Sequence, residues 1–141
     1  MKVLILEDNE ARIKYFVRNL SGFKITYTEI AKEVIYKLDK QKWDILFLDH
    51  DLGETINDPT NNKNTGSEVA RWLSEHPKKQ PKLIILHTLN IRGQKYMKSL
   101  LPKSIILPFA WIKLTSKMLV DKEAIKLLEL MAKQQLGQMQ I

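Results

Sequence analysis

The chain has 141 residues, 44% of them hydrophobic, and carries a formal net charge of +7 with a pI near 9.5. That length and composition describe one globular domain over residues 1–141; the positive charge reads first as a lysine-rich solvated surface, and otherwise favours anionic partners such as phosphates or nucleic acid. The lack of cysteine excludes disulfides, zinc knuckles and thiol nucleophiles; no apolar run reaches the roughly 18–20 residues of a membrane span, so a cytoplasmic protein without membrane association is expected.

Residues 2–6 read as a strand buried on both faces, ending at Glu7-Asp8-Asn9, where Asp8 or Asn9 can cap the helix that follows. In that helix Ile13, Phe16, Val17 and Leu20 fall on one apolar stripe, and Ser21-Gly22 stops it. Residues 23–28 alternate as an edge strand, and a helix over 29–40 turns Ile30, Val34, Ile35 and Leu38 inward. Ile45, Leu46, Phe47 and Leu48 form an unbroken apolar strand that runs into Asp49-His50-Asp51. Residues 50–66 lack periodicity and carry Pro59 and two glycines, a loop long enough to serve an active site.

Residues 67–76 read as a helix with Val69, Trp72 and Leu73 inward. Residues 82–88 are a fourth strand, 91–101 a short helix and 104–107 a fifth strand, followed by an apolar turn over 108–111. Asp121 caps a last helix whose shared face is Ala124, Leu127, Leu128 and Met131, and the polar tail 134–141 is expected to fray. Trp43, Trp72 and Trp111 read as core, and His76 as structural.

Strand and helix alternate five times, which predicts an α/β fold: a doubly wound, five-stranded parallel sheet in order 2-1-3-4-5, three-layered and flavodoxin-like. In that order Asp8, Asp49 and His87 crowd together at the carboxyl edge of the sheet, where such folds bind ligands. Glu7, Asp8, Asp49 and Asp51 would repel one another there by roughly 4 kcal/mol per pair at 4 Å, so the cluster either raises a pKa or holds a cation. Carboxylate oxygens without thiolates favour Mg²⁺ or Mn²⁺, with Asp8 and Asp49 as ligands, Glu7 through water, and Asp51 as ligand or loop turn.

Two of the three histidines, His50 and His87, end adjacent strands beside these carboxylates, which suggests a general acid/base pair in which Asp49 also takes part. Strand alternation turns Asp49 and His50 to opposite faces unless the turn re-aims one of them. Asn90 and Arg92 open the fourth helix, whose free N–H groups suit an anion, Arg92 reading equally as a phosphate contact or a solvated surface residue; Thr88 and Thr65 are further phosphate-binding candidates, Thr65 also as a helix cap.

These residues resemble the receiver domain of bacterial response regulators: the Glu7-Asp8 acidic pair, Asp49 at the phosphate-accepting position, Thr65-Gly66 before a helix, and Leu107-Pro108-Phe109 in place of Lys-Pro-Phe. Two positions depart from that pattern, since Leu107 stands where the family has a lysine and His87 or Thr88 where it has a hydroxyl residue. Asp49-His50-Asp51-Leu52-Gly53 together with His87-Thr88-Leu89-Asn90 is more similar to the divergent cyclic-phosphate-processing receiver branch. That resemblance implies a divalent-metal-dependent phosphoesterase acting on 2′,3′-cyclic phosphate ends of RNA or nucleotides, with the phosphorylated nucleotide or RNA end as partner. The alternatives it leaves are a response-regulator receiver phosphorylated on Asp49 by a histidine kinase, and a degenerate receiver that binds a partner protein.

Overall fold

The computed structural model describes residues 1–51, 64–109, 119 and 121–139; most of the loop 50–66, Trp111 and the end of the tail lie outside the described residues. Five strands, β1 (Lys2–Leu6), β2 (Lys24–Thr28), β3 (Ile45–Leu48), β4 (Leu83–Leu86) and β5 (Ile105–Ile106), form a parallel sheet in order β2-β1-β3-β4-β5. This is the topology read from the sequence, with β4 and β5 each shorter than expected. Every residue of β3 is buried, because both faces of the central strand are covered.

Helices α1 (Glu10–Asn19), α2 (Ala31–Lys40), α3 (Gly66–Glu75), α4 (Ile91–Leu100) and α5 (Lys122–Met139) complete the three layers. Alternation splits the core in two. Leu4, Leu6, Leu46, Leu48 and Leu86 pack under α2, α3 and α4 through Val34, Leu38, Val69, Leu73 and Met97. Val3, Ile5, Phe47, Ile85 and Leu107 pack on the other side with Phe16 and Leu20 of α1, Leu119, and Ile125 of α5. Each fully buried Leu or Phe in these layers contributes about 1.5–3 kcal/mol.

Asn9, not Asp8, caps α1, its side-chain oxygen accepting from the Arg12 N–H at 3.1 Å. The start of α2 is capped from a distance: Asn64 accepts from the Ala31 N–H at 2.7 Å and donates to the Glu29 carbonyl at 3.2 Å. Four inward assignments are corrected. Val17 is 49% exposed, since α1 meets the sheet along Phe16 and Leu20 and Val17 is turned about 100° from Phe16. Ile30 precedes α2 in extended backbone and is exposed. Leu127 and Met131 of α5 are also exposed, and Ile125 makes the core contact instead. The α5 backbone continues to Met139, through the part of the polar tail that was expected to fray. Among the described residues no helix is long and apolar enough to cross a membrane.

Candidate functional site

The site follows from strand register. Leu6, Leu48 and Leu86 pair side by side, and the next row is Glu7, Asp49 and His87. Backbone bonds carry the ladder into that row: Asp49 N–H donates to the Leu6 carbonyl at 3.1 Å and His87 N–H to Leu48 at 3.0 Å. Ligand atoms of Glu7, Asp49 and His87 lie within 4.8 Å of one another, a buried group able to hold a metal ion.

His87 is corrected in role. It is 0% exposed, ringed edge-on by Phe16 and Phe47, and its Nε2 lies 3.1 Å from Glu7 Oε1. Burial lowers the imidazole pKa, so the ring is neutral and donates Nε2–H to Glu7, leaving Nδ1 as an acceptor without a hydrogen-bond partner among the described residues. Such a ring positions Glu7.

Burial by itself would raise the Glu7 pKa; the His87 hydrogen bond, the Asn9 N–H and the Arg12 charge outweigh it and hold the carboxyl below the usual carboxylate range. Glu7 Oε2 accepts from the N–H groups of Asp8 at 2.9 Å and Asn9 at 3.2 Å. Asp49, only 4% exposed, goes the other way: burial and the neighbouring Glu7 charge push its carboxyl up to about 8, against bonds from the His50 N–H and the Thr88 hydroxyl. Burial and the Glu7 charge thus favour the protonated form of Asp49.

His50, next along the chain, faces the other layer against Gly93. His50 Nδ1 lies 2.9 Å from Asp51 Oδ1, and the Asn90 side-chain amide donates to both Asp51 oxygens at 3.1 and 3.3 Å. Asn90 Oδ1 also accepts from the Gly93 N–H at 3.0 Å, capping α4 and tying that cap to Asp51. A Cβ on Gly93 would come within 2.6 Å of His50 Cγ, and one on Gly66 within 2.0 Å of the Asp49 carbonyl oxygen; both glycines are required by close approach. His50 and His87 thus lie on opposite faces of the sheet, as alternation dictates, and do not form the acid/base pair expected from sequence.

A hollow of about 230 Å³ opens above the row, lined by Asp8, Asn9, Arg12, Asp49, Asp51, Thr88 and Leu89. Thr88 is buried, and its hydroxyl both reaches Asp49 and accepts from the Asn90 N–H. Thr88, and not His87, therefore takes the place of the hydroxyl residue ending strand 4. Thr65 stands at the N-cap of α3 without a side-chain capping bond, and Arg92 is an exposed residue of the first turn of α4.

Sequence reading missed Arg12. Its Nη1 lies 3.5 Å from Glu7 Oε1 and 3.9 Å from Asp49 Oδ2, and its guanidinium covers the Phe109 ring at 5.1 Å. The available signal was its spacing, five residues after Glu7 and one helical turn past the Asn9 cap.

Residues 2–103 match the family described as the cyclic-phosphate processing Receiver domain. The chain belongs to that family. No curated protein matches it. Among solved structures, this receiver domain resembles a CheY-like response regulator receiver domain protein from Methanospirillum hungatei JF-1 at 14% identity and a TM-score of 0.58, covering 91% of this chain and 95% of that one. It also resembles the signal receiver domain of a modulated diguanylate cyclase from Desulfovibrio desulfuricans G20 at 18% identity and a TM-score of 0.60, covering 95% and 97%. At these identities the likeness shows the fold.

Proposed function

We propose that this receiver domain is a divalent-metal-dependent phosphoesterase that opens 2′,3′-cyclic phosphate ends of RNA or nucleotides. The observation that carries the reading is the hollow lined by Asp8, Asp49 and Asp51, the last of which pairs with His50. Asp8 and Asp49 offer hard carboxylate oxygens to that hollow, with Glu7 behind them. A Mg²⁺ or Mn²⁺ ion suits such donors, and displacing the Asp49 proton would relieve the repulsion that keeps it there. When bound, the cation supplies positive charge to the phosphoryl oxygens.

The remaining chemistry belongs to the chain. Asp51 holds His50 through Nδ1, which leaves Nε2 to take a proton from the attacking water. The oxygen of that water bonds to phosphorus as one ribose–oxygen bond to phosphorus breaks, and the imidazolium returns the proton to the departing ribose oxygen. Asn90 fixes Asp51 and so the ring orientation. The test is turnover of 2′,3′-cyclic nucleotides with Mg²⁺ or Mn²⁺, expected for the native chain and lost in His50→Ala; no turnover with either ion refutes the reading.

A second reading, phosphorylation of Asp49 by a histidine kinase, is favoured by the Thr88 hydroxyl on Asp49. Stable labelling of Asp49 by acetyl phosphate without turnover would select it.

A further inference from the structure

We propose that Arg12 is the residue that receives the phosphoryl group of the ligand. The inference rests on the phosphoesterase reading for its substrate, but the anion site itself does not need that reading. Leu107 is buried among apolar neighbours at the end of β5, so no cation reaches the hollow from that position. Arg12 reaches it from α1 instead, lining the hollow beside Asp8, Asp49 and Thr88.

Its geometry suits a group that can change partners. The contacts to Glu7 at 3.5 Å and Asp49 at 3.9 Å are longer than the 2.7–2.9 Å or so of a close charge-assisted bond, so neither acid saturates the fork. The side chain is 24% exposed, which leaves donors open to a ligand. The guanidinium lies over the Phe109 ring, 5.1 Å from its centroid, a cation–π contact that uses none of its N–H groups. A planar fork presented over a ring is the arrangement that binds two phosphoryl oxygens at once, which an ammonium point charge does not reproduce. Arg92, the other candidate cation from sequence, is exposed at the start of α4 and does not line the hollow.

The experiment compares the native chain with Arg12→Gln and Arg12→Lys in three measurements: Mg²⁺ affinity by calorimetry, orthophosphate binding in saturating Mg²⁺ by phosphorus NMR, and KM for a 2′,3′-cyclic nucleotide. Removing the guanidinium should leave Mg²⁺ affinity equal or tighter, because a positive charge leaves the carboxylates. Orthophosphate affinity should fall about 10- to 100-fold, with Arg12→Lys between native and Gln. Orthophosphate affinity and KM unchanged in Arg12→Gln would overturn the assignment, and so would loss of Mg²⁺ and phosphate together, the mark of a structural role. If the native chain turns over no cyclic nucleotide yet loses orthophosphate on Arg12→Gln, the phosphoesterase reading falls and the anion site stands.

Discussion

At His87 the imidazole donates to Glu7 inside a shell that includes Phe16 and Phe47, so alanine there removes a buried ring and a buried hydrogen bond together. Denaturant unfolding should show His87→Ala destabilised by about 3–5 kcal/mol. His50 is partly open, and its partner Asp51 more so. His50→Ala should change stability by about 1 kcal/mol or less while turnover falls at least about 100-fold. From the sequence the two histidines looked equivalent, because residue type and strand end were alike. Their difference is set by side-chain parity one residue beyond the ladder, and by which layer each parity faces. Arg12 was illegible for a related reason: a polar residue on the first turn of a helix reads as surface until the neighbouring strand ends are placed.

Among the elements, α4 does more than cover the sheet. Its cap residue Asn90 holds Asp51, and its Gly93 lets the His50 ring lie against the helix backbone. Gly93→Ala should therefore displace the imidazole, lowering kcat about 100-fold with Mg²⁺ affinity retained and a melting temperature within a few degrees of native. The elements themselves were the most legible part of the chain. β3 is four apolar residues with no polar interruption, the pattern of a strand covered on both faces. Helix faces were read less well, as Val17 and Leu127 show, because periodicity marks a stripe and not the width of the surface that will cover it.

For the whole molecule, the paired acids link stability to pH. Asp49 has a folded value of about 8 against 3.8 for the free group, so between those values the native protein keeps a proton that the unfolded chain has lost. Its contribution is complete at the acid end and disappears as pH rises toward 8. Glu7 is lowered below its usual 4.5, so its contribution is present above 4.5 and is lost as pH falls below that value. Thermal unfolding without metal should accordingly show greatest stability near about pH 4–5 from these two groups. Mg²⁺ competes with the Asp49 proton, and its affinity should rise about tenfold per pH unit up to about pH 8. A Mg²⁺-induced rise in melting temperature that is larger at pH 8 than at pH 6 would check both.

The row Glu7–Asp49–His87 is three strands wide and a single residue deep. Inserting or deleting one residue within β1, β3 or β4 would rotate that strand's member into the opposite layer, and no point substitution could bring it back. Such a centre is transmitted between proteins as a set of strand phases before it is a set of side chains. Grafting it onto another parallel sheet would have to begin by matching where each strand stops.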